Sequence, residues 1–181
     1  MTSTAFPGLE PYLRAEGEEV EAALVRAITR LSALLAGHDD VRDAVQHGVL
    51  SGGKRLRPIL CVTAWRACAV GHDAQGAAGA TPEAVYDLAA SLEMIHAYSL
   101  MHDDLPCMDD ADLRRGRPTT HRVHGEVVTM RAGAVLIPEA ALQARAACIA
   151  LGCDEATVHR VIDLVDRNEY HPMLRIVRRR K

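Results

Sequence analysis

The sequence predicts an all-helical fold. Apolar residues recur at spacings of three and four in several windows, strictly alternating runs of strand formers are hard to find, and aromatic residues are only 3% of the chain. With 181 residues, 49% of them hydrophobic and 25% charged, the chain is long enough to bury one substantial core and short for two. A single helical domain over residues 1–181 is therefore expected.

The elements follow in order. Within residues 18–37, Val20, Leu24, Ile28, Leu31 and Leu35 step by four, four, three and four, and Gly37 follows as a stop. A second helix is expected from about 40 to 50, where Val41, Val45 and Val49 lie one turn apart and Ser51-Gly52-Gly53 marks a turn with exposed backbone. Pro58 suits a first helical turn and opens a third helix to about Gly71, after which the Gly/Ala-rich residues 71–80 read as a loop. Thr81-Pro82-Glu83 offers a capping hydroxyl, a first-turn proline and an acid near the positive end of the dipole. The helix that it opens carries Val85, Leu88, Leu92 and Ile95 and runs into His102. Beyond Glu126, helical stretches are expected at 127–136 and 140–151, separated by Pro138, and then at 155–165. Residues 167–181 lose the periodicity and end in four consecutive cations, which reads as a solvated terminus.

Composition disfavours several roles. Lys and Arg number 21 against 24 Asp and Glu, and a net charge of −3 supplies no bulk positive potential for nucleic acid. No uninterrupted apolar run approaches the roughly 20 residues that span a bilayer, so no transmembrane segment is expected. The opening residues 1–19 have neither a basic start nor an apolar stretch of signal-peptide type, which points to a cytoplasmic location. Cys61, Cys68, Cys107, Cys148 and Cys153 are odd in number, contain no C-x-x-C pair and lie in helix-like sequence. They read as buried or incidental thiols, not as a disulfide framework or a zinc site.

The densest polar signal runs from His102 to Asp112, with carboxylates at Asp103, Asp104, Asp109, Asp110 and Asp112, followed by Arg114, Arg115 and Arg117. An arbitrary acidic cluster is more often a solvated helix end. Here Leu92, His96, Ser99 and Asp103 share one helical face, so polar groups sit where partial burial is expected. Gathered carboxylates at such a site need cations, and Mg²⁺ takes one or two carboxylates, waters and substrate phosphates. Arginines suit bidentate contact with phosphate oxygens. Pro106 is expected to kink the helix and re-aim Asp109 relative to Asp103. A second signal, Gly52-Gly53-Lys54-Arg55-Leu56-Arg57-Pro58, offers exposed amides and three cations as an anion cradle, or a plain capping turn. Gly48 to Lys54 also fits G-x-x-x-x-G-K, but position 55 is Arg and the preceding residues are helical, which excludes the nucleotide-binding loop.

SGGKRLRP and then LEMIHAYSLMHDDLPCMDDADLRRGRPTTH resemble the trans-prenyl diphosphate synthases of the polyprenyl synthetase family. The likeness covers residues 1–136, with 137–181 a divergent helical end and basic tail. It implies an isoprenoid-synthase-type helical bundle around a deep apolar cavity, with Mg²⁺ and diphosphates at its mouth. It also implies Mg²⁺-dependent head-to-tail condensation of isopentenyl diphosphate with an allylic diphosphate, by a homodimer or in association with a full-length synthase. By resemblance, Asp103 and Asp109 are primary Mg²⁺ ligands, supported by Asp104 and Asp110. Gly53, Lys54, Arg57, His96 and Arg115 resemble the isopentenyl diphosphate clamp, and Arg114 the allylic diphosphate contact. Asp103, Asp104, Asp109, Arg114 and Arg115 form the implied catalytic set. Tyr98, five places before Asp103, with Ser99 beside it, resembles the hydrocarbon floor of farnesyl-type enzymes. His96 alone would more often be a satisfied core histidine, and its place in the motif decides otherwise.

The chain also departs from that pattern. The family carries a second aspartate-rich motif downstream, and residues 1–181 contain no clear counterpart. Ile162-Asp163-Leu164-Val165-Asp166 echoes it faintly and reads as an exposed amphipathic helix. The lysines are Lys54 and Lys181, and Ala132-Gly133-Ala134-Val135-Leu136 stands where relatives read Ala-Gly-Asp-Ala-Leu. The alternatives are a noncatalytic diphosphate-binding or regulatory partner subunit, or an inactive truncated synthase. A terpene cyclase is disfavoured by the GGKRLRP cradle. An apolar wall left open predicts self-association.

Overall fold

The computed structural model of the chain describes residues 8–69 and 81–165. The apolar stripes fold as helices: α1 (Leu9–Leu34), α2 (Asp39–Val49), α3 (Leu56–Ala69) and α4 (Glu83–Asp103). A two-stranded hairpin follows, β1 (Leu113–Arg114) with β2 (Arg117–Pro118), then α5 (Thr120–His124), α6 (Glu126–Ala150) and a last helix, α7, over 155–165. The expected loop at 71–80, the tail at 167–181 and Asp166 lie outside the described residues.

Helix α4 is the axis of the bundle. Val85, Ala89, Ala90, Met94, Ile95, Ala97, Tyr98 and Met101 are all buried, and α4 packs on α1, α3 and most extensively α6. A helix that is apolar around most of its circumference is stable only when neighbours enclose it. Helix α1 contributes Val20, Leu24, Ile28 and Leu31, the stripe expected from their spacing, and begins nine residues before the expected start at 18. Two polar ties cross this core. Arg66 of α3 donates to buried Glu16 of α1 at 2.6 Å and to the Tyr86 hydroxyl of α4 at 3.0 Å, while that hydroxyl donates to Glu16 at 3.0 Å. Arg30 of α1 donates to Gln143 of α6 at 2.6 Å.

Two sequence expectations are corrected. The stretches at 127–136 and 140–151 are one helix, with Pro138 inside it. The buried residues Thr129, Ala132, Gly133, Leu136, Ala140, Gln143, Ala144 and Ala147 keep one phase through the proline. Packing that stripe on α4 offsets the ~3 kcal/mol that an interior proline costs, and both Pro138 and Ala134, whose carbonyl loses its partner, are exposed. By length and composition alone the uninterrupted helix is apolar enough to cross a membrane, a test that the core helix of a soluble protein also meets. Its most apolar window is 44% buried inside the protein. At the start of α4, Thr81 does not cap the helix: its hydroxyl accepts a bond from Arg66 Nε at 2.7 Å, and Pro82 takes the cap position.

Candidate functional site

The aspartate-rich run does not continue α4 as a kinked helix. The helix ends at Asp103, and the chain folds back in hydrogen-bonded turns: Met108 N–H donates to Leu105 O at 2.8 Å and Asp109 N–H to Asp103 O at 2.9 Å. Pro106 disfavours helical geometry at the residue before it, so the run reverses where a kink was expected. Reversal brings the backbone of Asp109 onto that of Asp103. Asp110 takes a left-handed conformation, φ +46°, that aspartate tolerates better than most residues.

The carboxylates then part company. Asp104, 3% exposed, is held by Arg114 through Nε to Oδ2 at 2.8 Å and Nη2 to Oδ1 at 2.6 Å. Asp110 and Asp112 both meet Arg122, at 3.1 and 2.7 Å. Asp103 is half-buried and Asp109 exposed. Among the described residues no three His, Cys, Asp or Glu side chains stand close enough to hold a metal together. Asp103, Asp104, Asp109 and Asp110 are thus not gathered into one chelating cluster. That donor set suits Mg²⁺, which keeps its waters and takes one or two carboxylates, better than a cation needing a closed protein cage.

The basic turn is the tip of the hairpin. Arg115 (φ +54°) and Gly116 (φ +77°) form a two-residue turn between paired Arg114 and Arg117, the positive-φ pair that hairpin twist requires. The all-helical reading has no counterpart for these short strands. His47 Nε2 of α2 donates to Pro118 O at 3.0 Å and docks the hairpin. From this turn the Arg115 guanidinium reaches Gly52 O. At Gly53, φ +144°, a Cβ would lie 2.6 Å from Arg115 Cζ, so a side chain there would displace the guanidinium from its place. The two motifs are therefore in contact: a glycine of the first is the seat of an arginine of the second.

The cradle is not built from three cations. Arg55, 4% exposed and at φ +48°, turns inward and donates to Glu21 at 2.6 Å, to Glu93 at 2.8 Å and to Val49 O at 2.9 Å. A buried glutamate, a half-buried one and a backbone carbonyl engage all of its nitrogens, which corrects the expectation that it faces an anion. Its neighbours Lys54 and Arg57 remain exposed. Arg57 Nη1 lies 3.0 Å from His96 Nε2 on α4. Since arginine can only donate, that ring nitrogen accepts, and the neutral imidazole carries its proton on Nδ1. Burial first, then the Arg57 charge, pushes His96 below the ordinary histidine range; Glu93 opposes this, while Arg115 and Arg114 add to it. His96 thus stands within the field of three arginines, of which Arg114 is paired with Asp104.

Leu92, His96, Ser99 and Asp103 are all half-buried, as their shared face implies. Tyr98, 2% exposed, meets His102 edge-on with ring centroids 4.6 Å apart, and Ser99 Oγ donates to His96 O at 2.9 Å. His102 in turn lies against Gly133 of α6, whose Cβ would sit 2.8 Å from His102 Cδ2. The residues that sequence reasoning overlooked are Glu21 and Glu93, which orient Arg55. Glu93 was the available signal, a carboxylate within a helix otherwise rich in buried apolar positions.

A sequence model of the polyprenyl synthetase family matches residues 23–167. Geranylgeranyl pyrophosphate synthase 9, chloroplastic, of Arabidopsis thaliana is 39% identical over 153 residues, 84% of this chain and 38% of that protein. Farnesyl diphosphate synthase of Geobacillus stearothermophilus is 41% identical over 125 residues, covering 69% of this chain and 37% of that one. Among solved structures, a geranyltransferase from Legionella pneumophila superposes with a TM-score of 0.68 at 28% identity, covering 85% of this chain and 49% of its own. Geranyltranstransferase from Thermotoga maritima gives 0.58 at 32%, with 73% and 44% covered. The chain spans less than half the length of each of these relatives.

Proposed function

The chain belongs to the polyprenyl synthetase family, with the all-helical fold of its prenyltransferase relatives, and on that premise we propose that it acts in short-chain prenyl transfer. The reaction is Mg²⁺-dependent head-to-tail condensation of isopentenyl diphosphate with an allylic diphosphate. One observation carries this reading: Arg115 of the basic turn is seated over Gly53 of the cradle, so that the two anion-binding motifs share one mouth.

Each residue then has a task that its position supports. Lys54 and Arg57, exposed beside His96, hold the diphosphate of the isopentenyl partner with Arg115, and Gly53 leaves Arg115 room to do so. Neutral His96 aligns Arg57 by accepting its N–H. Asp103 and Asp109, whose backbones meet at the turn, would hold Mg²⁺ with waters and substrate oxygens completing its shell. Mg²⁺, when bound, supplies charge stabilisation for the departing pyrophosphate. Asp104 and Asp110 join that set only when Arg114 and Arg122 let go of them, and Arg114 so released is free for the allylic diphosphate. Tyr98 limits the length of the hydrocarbon. The active form is a homodimer or a complex with a longer synthase.

A second reading, a diphosphate-binding partner subunit without turnover, is favoured by the dispersal of the carboxylates among the described residues. The deciding experiment incubates the purified chain with Mg²⁺, geranyl diphosphate and labelled isopentenyl diphosphate, with Asp103→Ala as control. Labelled prenyl product lost in the variant is the expected result. Binding of isopentenyl diphosphate by calorimetry without product would select the partner-subunit reading, and neither binding nor product would refute both.

A further inference from the structure

The C-terminal end of α6 places two thiols together. Gly152 adopts φ +74°, its N–H donates to Ile149 O at 3.0 Å, and Cys153 N–H donates to Cys148 O at 3.0 Å. These are the two hydrogen bonds of a Schellman helix end, with Leu151 as the cap. In that arrangement the side chain three residues before the cap packs on the side chain two residues after it. Here those residues are Cys148 and Cys153. The motif usually joins two apolar side chains, and in this chain it joins two oxidisable ones.

Their surroundings differ in a way that orders a reaction. Cys148 is 1% exposed, whereas Cys153 is half-buried and lines an open cleft with Arg145, His159 and Ile162 between the ends of α6 and α7. Burial, and then the adjacent Cys153 thiol, hold Cys148 above the ordinary thiol range; Cys61 of α3 adds to this from farther away. Of the two, an oxidant arriving from solvent therefore meets Cys153 first, and Cys148, across the same helix end, is placed to be the second sulfur.

We propose that Cys148 and Cys153 form a reversible intramolecular disulfide on exposure to low-molecular-weight disulfides. The Cys153 thiolate attacks one sulfur of the oxidant, forming a mixed disulfide and releasing the other sulfur as a thiolate. The Cys148 thiolate then attacks the Cys153 sulfur, closing the internal bond and releasing the second small thiolate. The protons given up by the two cysteines pass to these leaving groups; the cysteines are oxidised by two electrons and the small disulfide is reduced to two thiols. The bond fastens the last turn of α6 to the entry of α7. It is independent of prenyl transfer and of the diphosphate mouth.

The test uses the chain as it stands. The protein is treated with oxidised glutathione, free thiols are alkylated, and trypsin releases residues 146–160 between Arg145 and Arg160, a peptide whose cysteines are Cys148 and Cys153 alone. The expected product is that peptide unalkylated and two hydrogens lighter, restored by dithiothreitol. Gly152→Ala, strained by the left-handed conformation at a cost of about 1–2 kcal/mol, should lower the yield at matched oxidant about fivefold or more while circular dichroism shows the helices retained. A lasting glutathione adduct on Cys153, alkylation of both cysteines after oxidation, or a cross-link from Cys61 to Cys148 would each overturn the proposal. An unchanged yield in Gly152→Ala would overturn the part assigned to the helix end.

Discussion

Arg114 grips the buried carboxylate of Asp104 through three hydrogen bonds, with both Nε and Nη2 donating. Family resemblance gives these residues separate tasks, one beside the metal and one on the allylic diphosphate. Without ligand each is the other's partner, because a carboxylate this deep needs a compensating charge. The pair also holds the Arg114 guanidinium more firmly protonated than usual, the hydrogen bond it donates to Asp104 being the largest cause.

Arg114→Ala should therefore destabilise the fold. Breaking a fully buried pair costs about 3–5 kcal/mol, and since the Arg114 side chain is 35% exposed, about 1–3 kcal/mol is expected here. Adding Asp104→Asn, which removes the stranded charge, should recover a large part of the loss. Urea denaturation of the two singles and the double checks this; losses that simply add would show that the pair is not coupled.

Arg55 makes a sharper case. Its partner Glu93 is as buried as it is, while Glu21 is half-exposed. Arg55→Met leaves Glu93 uncompensated and should cost about 3–5 kcal/mol, and Arg55→Met with Glu93→Gln should cost much less. Glu21→Gln alone should stay within about 1 kcal/mol, as partly exposed pairs do. Denaturation midpoints of the three variants rank these costs, and an equal loss from Glu21→Gln and Arg55→Met would contradict the assignment.

Acid should weaken the fold before its carboxylates titrate. Burial is the first cause holding His96, His102 and His124 below the ordinary histidine range. A group whose folded value is depressed binds its proton more readily in the unfolded chain. Its stabilising contribution is complete above the unfolded value of about 6.5 and is lost as pH falls through the folded one. The thermal midpoint should therefore drop between about pH 7 and pH 5, and His96→Gln should flatten that slope. A midpoint constant over this interval would rule out the burial of neutral imidazoles as an acid sensor.

How far these features were legible depends on their range. The stripes of α1, α2 and α4 could be read because a helix period is local and each stripe lies within one element. Pro138 misled for the same reason: its rule is local, while the stripe that overrides it is visible only against α4. Arg55 illustrates another limit, since the sequence shows a cation in a cationic loop but not that φ +48° turns it toward Glu93. The contact of Arg115 with the Gly52-Gly53 turn joins residues more than sixty positions apart, which no spacing within either motif could reveal. The acidic run was legible as a concentration of carboxylates and not as shape, because the helix that periodicity would have carried on ends at Asp103, before Pro106.

Tyr98 separates packing from product control. It is buried on α4, edge-on to His102, which itself lies against Gly133 of α6. Tyr98→Ala removes a ring from this contact between α4 and α6 and should cost about 3–5 kcal/mol, as large-to-small core changes do. If the ring is also the floor of a hydrocarbon pocket, the surviving activity should yield longer prenyl chains. Tyr98→Phe should leave product length as it is, because a floor needs bulk and not a hydroxyl. Chromatography of products from the two variants, beside the unaltered chain, makes the comparison. Longer chains from the alanine variant alone mean that the space opened is continuous with the substrate site. Unchanged chains from an active alanine variant mean that Tyr98 supports α6 through His102 and that length is set elsewhere.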